Sequence, residues 1–191
     1  MKSESMLRPP QKDIFQRLEN ITPDSPRTLL AHIATGAGKS GMAALAYTRL
    51  REQGVVEKLC IIAPTASLAE QGEEAFTSPW LAPFTNGARI RRACNEILPS
   101  RGCDGYMTTY QAIANDRSRI NLYEMLRADY LVVLDELHHI AVGSSWAAAL
   151  APLVDAAKYR IYLSGTLGRH DQQRIAFLNY KTYEGVTNGN S

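Results

Sequence analysis

The sequence has few of the residues that stabilise small secreted proteins. Among 191 residues there are only three cysteines, Cys60, Cys94 and Cys103, and no CxxC pair occurs. This odd count argues against a disulfide framework and against a zinc knuckle. A chain of this length buries roughly 70% of its unfolded surface, so its core needs neither disulfide bonds nor a bound zinc ion. We therefore expect a protein of the reducing cytoplasm.

The sequence also lacks a long hydrophobic run and an excess of one charge. No apolar stretch approaches the ~20 residues of a membrane span, and the N-terminal residues do not resemble a signal peptide, so we expect no membrane association. Lys and Arg number 21 against 19 Asp and Glu. This balance excludes a histone-like binder, and any nucleic-acid contact has to come from a local groove.

Short apolar runs alternate with longer amphipathic segments, which predicts strands separated by helices. The predicted strands are residues 27–34, 58–64, 88–93, 104–109, 130–135 and 160–164, and the predicted helices are 38–53, 65–76, 122–127 and 146–157. This order indicates an α/β fold, a three-layer doubly wound parallel sheet of the P-loop NTPase type. We expect one domain over residues 1–180 and a loose tail or linker over residues 181–191.

A glycine-rich segment, ATGAGKS, lies between the first predicted strand and the first predicted helix. Its glycines let successive backbone N–H groups face an anion, Lys39 would reach the β- and γ-phosphates, and the Ser40 hydroxyl would bind Mg²⁺. Ile33 stands where the full pattern has its first glycine. The alternative is an ordinary strand–helix turn with a solvated lysine. The nucleotide-binding candidates here are Thr35, Gly36, Ala37, Gly38, Lys39 and Ser40.

The apolar run YLVVLD ends in an acidic box, DELH. Near a phosphate loop, Asp135 would hold Mg²⁺ and Glu136 would polarise the attacking water as general base, with Lys39 as the third catalytic candidate. The alternative is a strand end with two solvated acids. A zinc site at His138 and His139 is discounted because adjacent residues rarely bind one metal.

In this order the motifs resemble the first motor lobe of superfamily 2 helicases and translocases, in particular the DExH branch that includes restriction-enzyme motor subunits and repair helicases. In the segment LSGTLGRHD, Leu167 stands where the family usually has proline, and Gly165 replaces the commoner alanine. The matching segments are LRPPQ (7–11), IATGAGKS (33–40), APTASLAEQ (63–71), MTTYQAI (107–113), DELH (135–138) and LSGTLGRHD (163–171).

The resemblance implies roles for further residues. Gln11 would read the adenine edge with support from Arg8, and His138 would couple the acidic box to Ser164 and Thr166. The nucleic-acid backbone would be contacted by Thr65, Thr108, Thr109 and Tyr110. Each has a structural alternative, such as a helix-surface amide, an N-cap, a strand residue or a turn residue. A basic cluster, Arg89, Arg91 and Arg92, is either a phosphate contact or a solvated face.

The resemblance also implies ATP and Mg²⁺ as cofactors and nucleic acid as partner, with DNA favoured over RNA by analogy. The family's motor needs a second RecA-like lobe that carries arginine fingers, and no such lobe fits after Asp171. We therefore expect this chain to bind Mg-nucleotide, to hydrolyse it very slowly and not to unwind duplex. The alternatives are a non-motor P-loop NTPase, a regulatory binding module and an RNA-directed helicase lobe.

Overall fold

The computed structural model describes residues 7, 9–19, 21–22, 25–33, 38–169 and 171–179. The predictions for Arg8, Thr35, Gly36 and Ala37 lie outside the described residues, as does the predicted tail at 181–191. Within the described ranges, no helix is long and apolar enough to span a membrane.

Six parallel strands form one sheet, in the order β1-β6-β5-β2-β4-β3. All five residues of β5 are buried, as its uninterrupted apolar sequence predicts for a strand covered on both faces. The predicted α/β fold with a parallel sheet is therefore confirmed. The strands are β1 Thr28–His32, β2 Lys58–Ala63, β3 Ile90–Arg92, β4 Gly105–Thr109, β5 Tyr130–Leu134 and β6 Tyr159–Ser164.

Seven α-helices and a short 3₁₀ helix, Leu137–His139, accompany the sheet in the described part of the chain. One core cluster packs the first four helices on one face of the sheet, and a second cluster packs the last three helices on the other, which makes three layers. The helices are α1 Pro9–Arg17, α2 Lys39–Glu52, α3 Ala66–Thr77, α4 Ala82–Thr85, α5 Tyr110–Ala114, α6 Ile120–Met125 and α7 Ser145–Ala156.

The ends of two helices follow from their local sequence. Thr65 caps α3 by accepting the backbone N–H of Leu68, as its hydroxyl predicts. Gly54 follows α2 with φ of +70°, a conformation that glycine adopts without steric cost.

Three short or proline-led helices, α1, α4 and α5, were not predicted. Two prolines open α1, a position where the missing N–H is tolerated, but they mask its helical pattern. The Thr109 hydroxyl accepts the N–H of Ala112 and starts α5 directly at the end of β4. Tyr110 is therefore the first residue of a helix, and its interpretation as a strand residue is wrong.

Candidate functional site

The strand order brings three loops to one edge of the sheet. Strands β1, β6 and β5 are parallel neighbours, so the segments that follow them leave the sheet at the same edge. This is the edge where ligands bind in open α/β sheets. Lys39 after β1, Glu136 after β5 and Gly165 after β6 meet there, although 97 positions separate the first two.

The central contact of the site joins Lys39 to Glu136. Lys39 is the first residue of α2, and its Nζ contacts Oε1 of Glu136. Their side chains are only 11% and 16% exposed, so this ion pair is screened less by water than a surface pair. The structure thus brings together the two charged groups that the sequence predicted for one site.

Asp135 lies at the end of β5 with its backbone held firmly. Its N–H donates to the carbonyl of Ile62 at 3.0 Å, and its carbonyl accepts the Tyr110 hydroxyl at 2.5 Å. Burial raises the pKa of the Asp135 carboxyl to about 6, against the opposing charge of Lys39. The carboxyl is therefore harder to ionise than an exposed aspartate, in spite of the nearby ammonium group of Lys39.

Glu136 adopts φ of +51°, which is uncommon for a residue other than glycine. This turn directs Oε2 toward the backbone N–H of Gly165, which donates at 3.2 Å. Partial burial raises the pKa of Glu136. This effect is outweighed by groups that lower the pKa, which are the hydrogen bond and charge of Lys39, the Gly165 N–H and the His138 ring. The net pKa is below its ordinary value. Glu136 is therefore a carboxylate, the form that can accept a proton.

His138 connects the acidic box to the segment after β6. Its Nδ1 lies 3.1 Å from Oγ of Ser164 and 3.4 Å from Oε2 of Glu136. The Ser164 hydroxyl donates to the carbonyl of Thr166, so it is left to accept a hydrogen bond from Nδ1–H of His138. Burial and the neighbouring His139, whose ring centroid lies 4.4 Å away, lower the pKa of His138.

Thr166 stabilises its own turn, since its hydroxyl donates to the Gly168 carbonyl at 3.0 Å. The structure therefore joins two of the three predicted coupling residues, His138 and Ser164, by their side chains. Thr166 joins them through its backbone carbonyl.

Arg169 is a site residue that the sequence-based selection missed. Its guanidinium donates to the carbonyl of His138 at 2.5 Å and pairs with both carboxylate oxygens of Asp171. It thus fixes the backbone of the acidic box from the segment after β6. The signal was present, because the motif LSGTLGRHD contains an arginine at this position.

The first turn of α2 also contacts α1. Gln11 is 6% exposed, and its Nε2 lies 2.9 Å from the position that a Cβ would take at Gly38 and at Gly41. Gln11 is therefore buried beside the first turn of α2 rather than displayed on a helix surface. Ser40, the second residue of α2, is partly exposed.

The four predicted nucleic-acid residues separate into two groups. The side chains of Thr65 and Thr109 are accessible, and their hydroxyls cap α3 and α5. Thr108 and Tyr110 are only 1% and 0% exposed. Their side chains are not accessible to a polynucleotide in this conformation. A contact at these two residues would therefore have to come from backbone groups, and their assignment stays a prediction.

Two of the three arginines of the basic cluster lie beside carboxylates. Arg91 lies 3.7 Å from a carboxylate oxygen of Glu96, and Arg92 lies 3.4 Å from one of Glu70. Arg89 donates to the carbonyl of Gly102. These partners reduce the local positive potential, which favours the solvated-face interpretation over a phosphate contact.

In the described ranges, no three His, Cys, Asp or Glu side chains are grouped so that they could hold a metal ion. Ser40 and Asp135 supply the oxygen ligands that suit Mg²⁺, which usually takes its remaining ligands from phosphates and water. The donor set therefore fits a magnesium–phosphate complex.

Replacing Asp135 by Asn tests how the site holds its charge. The folded protein disfavours the ionised form of Asp135, whose pKa is raised to about 6, so ionisation destabilises the fold above that pH. We expect Asp135→Asn to raise the free energy of unfolding by about 2 kcal/mol at pH 7.5. The gain should become small near pH 4, where the folded state is protonated and the unfolded state is about half protonated. Denaturant unfolding at both pH values measures this, with the exposed Asp155→Asn as control. An equal gain at the two pH values would contradict it.

Comparison with known proteins agrees with this architecture. Residues 4–169 match the family described as type III restriction enzyme, res subunit. The uncharacterized protein Rv2917 of Mycobacterium tuberculosis (strain H37Rv) is 28% identical over 156 residues, which cover 82% of this chain and 25% of that protein. The chain therefore spans about a quarter of the length of this curated relative.

Two solved structures have the same fold. The SWI2/SNF2 ATPase core of Sulfolobus solfataricus, in complex with dsDNA, gives a TM-score of 0.63 at 21% identity, over 84% of this chain and 32% of that one. The Hef helicase domain of Pyrococcus furiosus gives 0.61 at 22% identity, over 86% and 34%. The predicted resemblance is thus confirmed. The chain belongs to the family described as type III restriction enzyme, res subunit, and it shares its fold with part of these ATPase and helicase structures.

Proposed function

We propose that this chain is the ATP-binding lobe of a motor that couples ATP hydrolysis to movement on DNA. The observation that carries the proposal is the shielded contact between Lys39 and Glu136, with Asp135 beside it at the carboxyl edge of the sheet. A cation at the start of a helix and two carboxylates at the end of the neighbouring strand are the groups that phosphoryl transfer requires.

The ion pair suggests how a nucleotide would activate the site. The phosphates of a bound nucleotide would compete with Glu136 for the ammonium group of Lys39. Release of Lys39 would leave the Glu136 carboxylate free to orient a water molecule and accept its proton. The Gly165 N–H and His138 would keep that carboxylate in position meanwhile.

The proposed metal ligands are Ser40 and Asp135. Bound Mg²⁺ would neutralise charge on the β- and γ-phosphates. Asp135 is suited to this role because burial leaves its carboxyl short of positive charge, and because the Tyr110 hydroxyl and Ile62 carbonyl hold its backbone. The contribution of this chain is therefore a carboxyl group fixed at the strand end.

DNA is favoured as the track because the related SWI2/SNF2 core has been solved with dsDNA. Thr65 and Thr109 are the accessible predicted contacts, and they lie at the ends of β2 and β4, on the same edge as the nucleotide site. A second RecA-like lobe would complete both the nucleotide site and the DNA track.

Steady-state ATP hydrolysis tests the proposal. Because a missing arginine finger costs about 10³–10⁵ in rate, we expect the chain alone to turn over ATP close to the level of a Glu136→Gln blank. Turnover should be measured alone and with single-stranded DNA, duplex DNA and RNA. Glu136→Gln should still bind nucleotide, since Lys39 remains. Substantial turnover that is indifferent to every polynucleotide would instead favour a non-motor NTPase.

A further inference from the structure

An exposed tryptophan lies beside the first turn of α2. Trp80 is 53% exposed, and it is in the turn that joins α3 to α4. Its Cζ3 lies 3.6 Å from the position that a Cβ would take at Gly41. Gly41 is two residues after Lys39, so the indole lies close to the proposed phosphate-binding end of the helix.

The Gln11 amide lies at the same place. Its Nε2 is 2.9 Å from that Cβ position at Gly41. An aromatic ring and a carboxamide therefore both lie within 3.6 Å of one point on the helix surface. This approach is possible because residue 41 has no side chain, and a methyl group there would displace the amide.

Trp80 differs from the other large aromatic side chains of the described residues. Tyr123, at 63%, is also strongly exposed, but it lies on α6 in the opposite layer. Trp146 packs against Tyr110 with ring centroids 5.6 Å apart. In the described residues, Trp80 is thus the strongly exposed aromatic side chain on the layer that contains α2, and more than half of its surface is left in water.

We propose that the indole of Trp80 is the platform on which the base of the bound nucleotide stacks. The inference rests on the proposed function, because the phosphates must occupy the start of α2 for the base to lie beside it. Exposed apolar surface is covered by stacking, and a purine covers more of an indole than a pyrimidine does. Trp80 would therefore select purine over pyrimidine nucleotides, whereas Lys39 binds the phosphates of either.

Binding measurements separate the base from the phosphates. We expect Trp80→Ala to weaken ATP binding by about tenfold, the range of base–aromatic stacking, and to leave inorganic tripolyphosphate binding unchanged. Trp80→Phe should recover most of the loss. The preference for ATP over CTP should shrink in Trp80→Ala. Tyr123→Ala, which removes an equally exposed ring from the other layer, is the matched control.

Fluorescence gives a second readout. In a Trp146→Phe background Trp80 is the sole tryptophan, since the sequence has two, and ATP should quench its emission while tripolyphosphate should not. Equal ATP affinity in Trp80→Ala and the parent chain would overturn the inference alone. If the parent chain binds neither ligand, or Lys39→Ala binds both as well as the parent does, the proposed function fails and this inference fails with it.

Discussion

A Lys39→Ala variant is expected to lose nucleotide affinity by at least about a hundredfold. Hydrogen bonds to charged groups contribute about 1.5–3 kcal/mol each, and the ammonium group would contact two phosphates. Lys39 begins α2 and reaches across the sheet edge to Glu136, so it lies between the helix and the acidic box. Affinity for ADP and for a slowly hydrolysed ATP analogue, measured by calorimetry, checks the expectation.

The same substitution leaves a mostly buried carboxylate without its cation. Removing one partner of a buried ion pair costs stability, but Glu136 would keep the Gly165 N–H and His138, so its pKa should rise and the fold should stay intact at a lower free energy of unfolding. Thermal unfolding should therefore stay cooperative. The control is Lys158→Ala, which removes a lysine from an exposed pair with Asp129 at the opposite edge of the sheet. Unchanged ADP affinity in Lys39→Ala would refute the phosphate-loop assignment.

A Gly105→Ala variant is expected to unfold much more readily than the parent chain. Gly105 begins β4, between β2 and β3, and a Cβ there would lie 2.2 Å from the carbonyl oxygen of Leu59. No flexible side chain can move to relieve this overlap, because the neighbouring atom belongs to the backbone of β2. We expect a loss of about 3 kcal/mol, at the upper end of overpacking costs, and a Tm about 10 °C lower.

Gly168→Ala is the matched control for this prediction. A Cβ at Gly168 meets no atom within 4 Å, so the same methyl group should change Tm by little. If both variants melt within a degree or two of the parent chain, the close approach of β4 to β2 does not exist in solution. If only Gly105→Ala melts early, the order of the central strands is supported.

Most of the fold could be predicted from local sequence. Apolar runs of strand length alternate with helical segments, and this pattern predicts parallel strands covered on both faces. The strand YLVVLD and the cap Thr65 behave as their residue types predict. The helix α5 was missed because its five residues are too few for a recognisable period, and its start depends on the Thr109 cap.

The site was predicted in part. A glycine-rich turn before a helix and two acids after a strand are local patterns, so Lys39, Asp135 and Glu136 could be selected from the sequence. The burial of Thr108 and Tyr110 could not be predicted from the sequence, because polar and β-favouring residues at a strand end can face either solvent or core. The motif contains Arg169 and its side-chain partner Asp171, but the contact of Arg169 with the backbone carbonyl of His138 depends on the tertiary structure.

The sequence by itself determined the strands and the longer helices, the candidate residues of the glycine-rich segment and of the acidic box, and the family, because each depends on residue types at fixed local spacing. The tertiary structure decided which distant segments meet. The pairing of β1 with β6, and of β6 with β5, sets both Lys39 and Gly165 against Glu136. The turn after α3 brings Trp80 to Gly41 in the same way. Strand order and helix packing arise from the burial of apolar surface across the whole chain, and local sequence patterns do not specify them.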